Sequence, residues 1–255
     1  MAEIDYNELL KTTDIDLLKR YAGSDKEMIR FSVAGNPNIS TDILGYLLRD
    51  KSSLVRTASV RNPKVTTEQV LELLEKEDCE TLFYAMARET FYDEEVYRVL
   101  AKKGSDNVKM RLGTNEAVPN DVIQILLDDD SVRVVNATIS NPKVTLEKIM
   151  ELLHNQYKRN NSPILDGITQ NPNCSKDLLR KYATRSKDPN ILKNVAKHPN
   201  TEEDVLTMLS KSLYADVRKT VALNENTPKK VLEMLLKDKN EAVKIMAQKT
   251  LEKEF

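Results

Sequence analysis

A short turn motif recurs along this chain at a nearly constant interval. Asn-Pro or His-Pro pairs occur at five places, and three degenerate copies fill the gaps between them. The first residues of these motifs, with a terminal copy one period further on, are termed anchors: Asn36, Asn62, Glu89, Asn115, Asn141, Asn171, His198, Asn224 and Thr250. In sequence numbers, the first eight follow one another at intervals of 26, 27, 26, 26, 30, 27 and 26. A fixed period in this range is typical of a repeat protein.

The copy that begins at Asn62 shows what one repeat contains. Pro63 opens a turn, because proline fixes its own backbone angle and keeps the preceding residue out of the helical region. Thr66 and Gln69 then have the spacing of a helix capping box. Two apolar sets at helical spacing follow, separated by a polar break: Val70, Leu71, Leu73 and Leu74, and then Leu82, Ala85 and Met86. Each repeat is therefore predicted to contain two helices of roughly 8–10 residues.

The second predicted helix is as regular as the first. An apolar residue stands seven positions before every anchor: Ile29, Val55, Leu82, Val108, Val134, Ile164, Ile191, Val217 and Val243. One such helix pair cannot bury its apolar face alone, so neighbouring pairs must stack into a continuous core. No segment alternates apolar and polar residues as strands do. The sequence predicts an all-α fold, a right-handed α-solenoid of about nine two-helix repeats forming one domain over residues 1–255, with some second segments 3₁₀-helical.

The pattern of Asn-Pro, apolar, Ser/Thr, apolar-Leu, Asp, Val-Arg and Ala resembles the leucine-rich repeat variant, over nearly the whole chain. Residues 36–61 and 141–170 match its turn and first helix best, and Asp50 with Val55-Arg56 and Ala215 to Arg218 match its second half. The resemblance implies alternating α and 3₁₀ helices, close to HEAT-like repeats, and implies a fold rather than an activity. Some members carry an iron-sulfur cluster on a cysteine-rich N-terminal segment. No cysteine precedes Cys79 here, so that cofactor is not expected.

Composition limits the environment more than the activity. The net charge of −1 gives no global attraction to nucleic acid or to an anionic membrane. Only Cys79 and Cys174 are present, far apart along the chain, which favours a reducing compartment. Residues 1–5 do not resemble a signal peptide, and no apolar run is long enough to span a bilayer. We therefore expect a cytoplasmic protein without a membrane partner.

Charge is distributed unevenly along the chain. Residues 64–95 contain three basic and ten acidic side chains, whereas residues 154–199 contain nine basic and three acidic ones. The stretches carry local net charges of −7 (3 − 10) and +6 (9 − 3). One interpretation is two solvated faces. The alternatives are a basic binding patch, or a homo-oligomer in which the acidic stretch of one copy meets the basic stretch of another.

A column of basic residues occupies one repeat position, six residues before the anchor. Its members are Arg30, Arg56, Lys109, Arg218 and Lys244, and it is interrupted by Phe83, Val135, Leu165 and Leu192. Such a column would suit phosphates or acidic side chains. The favoured interpretation is structural: these cations pair with turn carboxylates such as Asp50 and Asp216 and stabilise the packing between repeats.

The candidate partner-binding residues lie in the basic stretch. The long interval between Asn141 and Asn171 marks an insertion around residues 154–162, which we expect to form an exposed loop. The candidates in and after it are Tyr157, Lys158, Arg159, Arg180, Lys181, Arg185, Lys187, Lys193 and Lys197. Only Tyr157 and Tyr182 could stack on bases there, which is thin support for single-strand binding.

No catalytic or metal-binding constellation is apparent. The run Asp128 to Asp130 lacks the spacing of a calcium loop, and neither histidine has a ligand partner nearby in sequence. No glycine-rich phosphate loop is present. We therefore predict no cofactor, no enzyme activity, and a non-catalytic scaffold that binds a protein partner. The alternative is a nucleic-acid-binding HEAT-like protein, related to DNA-repair proteins, that uses residues 158–197.

Overall fold

The computed structural model describes residues 5–76, 79–159 and 164–254, with the side chains of residues 155–159 and 254 outside the description. These residues form α-helices joined by turns, and no strand occurs among them. The helices are α1 Tyr6–Leu9, α2 Ile15–Ala22, α3 Glu27–Ala34, α4 Thr41–Leu47, α5 Ser53–Val60, α6 Thr67–Lys76, α7 Glu80–Met86, α8 Glu94–Lys103, α9 Asp106–Gly113, α10 Asn120–Leu127, α11 Val132–Ile139, α12 Leu146–Arg159, α13 Leu165–Gln170, α14 Lys176–Arg185, α15 Pro189–Lys197, α16 Glu203–Leu209, α17 Ala215–Leu223, α18 Lys229–Leu235 and α19 Glu241–Glu254.

Each repeat contains an even-numbered first helix and the odd-numbered second helix that follows it, from α2 with α3 to α18 with α19. The predicted capping box is confirmed at α6. The Gln69 backbone N–H donates to Thr66 Oγ1 at 3.3 Å, and the Thr66 N–H donates to Gln69 Oε1 at 3.1 Å. Two donors that the helix start leaves unpaired are thereby satisfied.

The structure falls into two compact units, Met1–Val134 and Val135–Phe255. In the first unit the second helices pack side by side from α3 to α9, and in the second unit α13, α15, α17 and α19 do the same. The apolar position seven residues before each anchor is buried in every repeat, as the periodicity predicts. The all-α helical-repeat fold is confirmed. The single domain, the right-handed winding and the count of about nine repeats stay predictions.

The anchors connect each repeat to the one before it. The Asn62 side-chain amide donates to the backbone oxygens of Ala34 at 2.8 Å and Asn36 at 2.9 Å, while its Oδ1 accepts the Lys64 N–H at 3.0 Å. A turn cap of this kind is typical of asparagine. The second connection, to the preceding repeat, was not predicted. The same combination of a turn cap and a hydrogen bond to the backbone of the preceding repeat occurs at four further anchors: Asn36, Asn115, Asn171 and Asn224.

Anchors that are not asparagine reach the same backbone groups by other means. Where Glu89 replaces asparagine, the Tyr92 hydroxyl donates to the Val60 oxygen, two residues before the previous anchor. His198 places Nε2 at 2.8 Å from the Asn171 oxygen, and its Nδ1 accepts the Asn200 N–H at 3.0 Å. The terminal anchor also reaches back, to the backbone oxygen of Ala222 at 2.6 Å. The connection between repeats is thus kept although the residue type changes.

The structure differs from the sequence prediction at three places. The short helix α1 was not predicted. The described second segments are α-helices rather than 3₁₀-helices. The insertion does not begin as a loop, because α12 continues through His154 to Arg159. Residues 146–159 contain no glycine or proline and are rich in strong helix formers, so the helix extends through them.

Candidate interaction surface

The repeat column of basic residues is largely structural. Arg30 Nε lies 2.6 Å from Asp50 Oδ2, and its Nη2 lies 2.9 Å from Oδ1, a bidentate pair whose side chains are 5% and 6% exposed. The Arg30 hydrogen bonds are the main cause that holds the pKa of Asp50 below its ordinary value. The third guanidinium nitrogen donates to the Ser24 oxygen at 2.8 Å. The prediction that Asp50 pairs with a cation of this column is confirmed, and that cation is Arg30.

The other members of the column also have partners. Arg218 pairs with Asp238 at 2.6 and 2.9 Å, and Lys109 pairs with Asp129 at 2.9 Å. The remaining contacts are from Arg56 to the Asp50 backbone oxygen at 2.8 Å and from Lys244 to Glu241 at 2.7 Å.

The prediction that Asp216 pairs with a cation of the column was wrong, and the partner of Arg218 is Asp238. Asp216 pairs with Lys219 on the same helix at 3.2 Å, since it begins the second helix rather than ending the turn before it. The true partner was detectable, because Arg30, Lys109 and Arg218 are each followed by an aspartate at the same separation in sequence: Asp50, Asp129 and Asp238. The repeats with Phe83, Leu165 or Leu192 in the column have Lys103, Arg185 and Ser212 at that place instead.

Three candidate residues of the insertion lie outside the described side chains. The backbone of Tyr157, Lys158 and Arg159 belongs to the last turn of α12, and nothing further about them enters the site.

Among the described side chains of the basic stretch, Arg180 is the one with strong partners on a neighbouring repeat. It binds both carboxylate oxygens of Asp204, one of them at 2.8 Å, and Glu202 at 2.8 Å. Lys176 lies 3.6 Å from the same glutamate. The Arg180 hydrogen bonds lower the pKa of Glu202 and of Asp204. Arg180 is thus locally neutralised between α14 and α16, which makes it a poor candidate for contacting a partner.

The remaining five candidates make no ion pair with any residue in the described part of the chain. The Lys181 ammonium lies 5.9 Å from the centre of the Tyr182 ring. Arg185 ends α14, Lys187 lies in the turn that follows, and both are exposed. Lys193 and Lys197 are one helical turn apart on the exposed face of α15. The structure therefore brings Arg185 to the start of α15 and separates it from Lys197 by the length of that helix.

Sequence reasoning missed a second part of this surface. In three successive repeats, the turn between the first and second helix carries a basic residue at one position: Arg185, Lys211 and Lys237. Two positions later the same turns carry two further basic residues and one apolar residue: Lys187, Leu213 and Lys239. Members of each set are separated by one repeat period, which was the available signal. We call these six residues the turn edge of the second unit.

The turn edge is exposed and its turns touch one another. Leu213 is 91% exposed, more than any other large apolar side chain in the described residues. The Tyr214 hydroxyl donates to the Lys187 backbone oxygen at 3.2 Å, which connects two successive turns. None of the five basic side chains of the turn edge makes an ion pair with a described residue. The result is an apolar side chain flanked by cations.

The first unit has two shallow grooves around Arg49 and Asp50, of about 230 and 560 Å³. Their charged residues are mostly paired with one another, as in Arg30 with Asp50 and Arg49 with Glu72 at 2.7 Å. No group of three or more metal-ligating side chains occurs in the described residues. Cys174 is buried, which raises the pKa of its thiol to about 12 and leaves it unreactive.

The described part of the chain includes no helix that is both long and apolar enough to cross a bilayer.

Comparison with known proteins gives a fold and no sequence relatives. No protein-family model matches the chain, and no curated protein matches it significantly. Among solved structures, a leucine-rich repeat variant with a novel repetitive structural motif superposes over 90% of this chain and 88% of its own, with a TM-score of 0.51 and 14% identity.

Two further structures align with lower TM-scores. An engineered protein has a TM-score of 0.24 and 15% identity over 93% of this chain and 67% of its own. A designed armadillo repeat protein has a TM-score of 0.17 and 18% identity over 98% and 95%. The first match and the helices themselves show that the chain has the all-α helical-repeat fold seen in the leucine-rich repeat variant.

Proposed function

We propose that this protein is a non-catalytic scaffold that binds a protein partner through the basic surface of its second unit. The observation that carries the proposal is the absence of internal ion-pair partners, among described residues, for Lys181, Arg185, Lys187, Lys193 and Lys197. Exposed like charges repel one another, and they attract a ligand of opposite sign over a distance of about a Debye length, ~8 Å at physiological salt.

The contrast with other charges in the molecule supports this proposal. Arg30, Lys109 and Arg218 are occupied in pairs that hold the repeats together, and Arg180 is neutralised across two first helices. Cations that do no such structural work are available to a partner. The cytoplasmic location and the absence of enzyme activity remain part of the proposal.

Nucleic acid is the second candidate, because five cations of one unit that make no ion pair with a described residue also suit phosphates. Binding of that kind falls steeply with salt, roughly in proportion to the number of phosphates contacted. The 91% exposed Leu213, on the turn that contacts the turn of Lys187, favours a protein, since an apolar side chain gains nothing from a phosphate backbone.

A pull-down from native lysate with the full chain, with and without nuclease, tests the proposal. The test variant is K181E/R185E/K187E/K193E, and the matched control is K19E/K26E/K51E/K64E, which makes the same change of charge on exposed lysines of the first unit. We expect a discrete protein band that survives nuclease and disappears only with the test variant. Recovery of nucleic acid alone, or equal loss in both variants, would overturn the proposal.

A further inference from the structure

We infer that the turn edge of the second unit binds an acidic peptide in extended conformation, with an apolar side chain at its centre. This inference rests on the proposed function and adds the chemistry of the partner. It assigns the outer contacts to Lys187 and Lys239 and the central contact to Leu213.

Part of the turn edge has an ordinary structural explanation. Arg185, Lys211 and Lys237 lie at or just after the carboxyl ends of α14, α16 and α18, where a cation is stabilised by the helix dipole. Lys187, Leu213 and Lys239 lie beyond those helix ends, so the dipole does not account for them. They occupy one repeat position in three successive repeats and form a row of the order cation, apolar, cation.

A buried arginine fixes the backbone of the turn that carries Leu213. Arg218 Nη1 donates to the Ser212 oxygen at 2.7 Å and to the Leu213 oxygen at 3.3 Å, and the same guanidinium binds Asp238. Asp238 lies between two lysines of the turn edge, but its carboxylate is only 8% exposed and is neutralised by Arg218. The buried pair therefore fixes the Leu213 turn and neutralises Asp238, which leaves Asp188, an exposed carboxylate that accepts the Asn190 N–H at 2.8 Å, as the acidic side chain next to Lys187. A preformed site of this kind loses less entropy on binding.

The spacing of the row matches an extended ligand. Adjacent packed helices lie about 8–10 Å apart, so the row from Lys187 to Lys239 spans about 20 Å. A polyproline II chain rises about 3.1 Å per residue with three residues per turn, so side chains three apart share one face about 9 Å apart. An acidic residue, an apolar residue three positions later and a second acidic residue three positions after that would meet Lys187, Leu213 and Lys239 in order.

The acidic stretch of a second copy fits this surface less well than a separate peptide. In residues 64–95, Glu72 binds Arg49 and Lys76, Glu89 binds Arg61, and Glu94 binds Arg98. Those carboxylates would have to break internal pairs before meeting the turn edge.

Fluorescence anisotropy with the full chain tests the inference. The probe is a fluorescein-labelled peptide Glu-Pro-Pro-Leu-Pro-Pro-Glu, and the control probe has glutamine in place of both glutamates. We expect saturable binding of the acidic probe, weakened about tenfold or more by K187E/K239E and about tenfold or more by Leu213→Ser, since the serine loses the burial of the leucine side chain against the probe. The matched control Lys51→Glu, at the same repeat position in the first unit, should leave binding unchanged.

Several outcomes would overturn the inference. Two concern the probe itself: binding that does not saturate at millimolar protein, or equal affinity for the glutamine probe. Two point to another occupant. One is displacement of the acidic probe by a single-stranded oligonucleotide or by phosphatidylserine vesicles at a lower concentration than the unlabelled acidic peptide requires, and the other is dimers in sedimentation that disappear with K187E/K239E. The proposed function fails separately. If the pull-down band persists with L213S and K187E/K239E but is lost with K193E/K197E, the scaffold stands and the turn edge is wrong as its site.

Discussion

The two units place basic residues at one repeat position, thirteen residues before the next anchor, with different results. In the first unit Arg49 and Lys76 both bind Glu72, at 2.7 and 2.6 Å. In the second unit Arg185, Lys211 and Lys237 have no such partner among the described residues. The difference shows that a cation at the same repeat position is paired within the protein where a carboxylate lies near it, and is available to bind a partner where none does.

The same principle separates Arg218 from the residues around it. Arg218 and Lys211 are seven residues apart, yet one is buried in a bidentate pair and the other is exposed. Removing one partner of a buried pair leaves an uncompensated charge, whereas removing an exposed cation leaves water in its place.

The largest expected effect follows from this contrast. Arg218→Met should lower the free energy of unfolding by about 3 kcal/mol, because Asp238 is then left buried without its partner. It should also weaken probe binding, since the Leu213 turn loses two hydrogen bonds. Urea denaturation measures the first effect, and Arg185→Met is the control expected to change stability little. A loss below ~1 kcal/mol for Arg218→Met would show that the pair is not what holds the turn.

A somewhat smaller loss of stability is expected from changes at the anchors, where an asparagine anchor can be compared with the Tyr92 substitute. Asn62→Ala removes the bonds to the Ala34 and Asn36 oxygens, which then lack a donor in the buried junction. At about 1 kcal/mol for each lost bond, we expect a loss of about 2 kcal/mol. Tyr92→Phe removes the single bond to Val60 and should cost about half as much. Equal losses would show that the asparagine stabilises only its own turn.

The parts of the fold that depend on nearby residues were predictable. The period, the capping box at Thr66 and the buried position of Val55 and its equivalents all follow from spacing within one repeat. The backward bond of Asn62 and its replacement by Tyr92 were not predictable, because they depend on where the preceding backbone lies.

The same limit applied to the candidate surface. Arg180 and Arg185 look alike in sequence, and only the positions of Glu202 and Asp204 at the start of α16 distinguish them. Leu213 was not predicted because it carries no charge, and charge was the property that distinguished the candidate residues in the sequence. The period had already placed it between Lys187 and Lys239.

His198, the anchor that can gain a proton near neutral pH, should make the stability of the protein depend on pH. Burial is the main cause that lowers its pKa in the folded protein, and Nδ1 already accepts the Asn200 N–H, so a second proton has no place there. The unfolded chain therefore binds more protons as the pH falls below the ordinary histidine value of about 6.5, and stability falls with it. The slope from this residue should not exceed about 1.4 kcal/mol per pH unit.

The matched variant is His198→Asn, which restores the residue found at most other anchors. Its stability should change less between pH 7 and pH 5 than that of the unaltered protein, as measured by urea denaturation at each pH. Parallel curves would show that His198 is not the source of the acid sensitivity.

The smallest effect on stability is expected from Glu72→Gln. This variant tests the comparison between the paired cations of the first unit, Arg49 and Lys76, and the cations of the turn edge. Glu72 is partly exposed, and the hydrogen bonds from Lys76 and then Arg49 lower its pKa, but surface pairs of this kind contribute little to folding. The variant leaves Arg49 and Lys76 without their carboxylate and so imitates the second unit. Salt-sensitive retention on heparin should increase, while affinity for the acidic leucine probe should stay unchanged, because the first unit has Lys51 where the second has Leu213. A gain in probe affinity would mean that free cations alone suffice, and that the apolar centre of the turn edge does not select the partner.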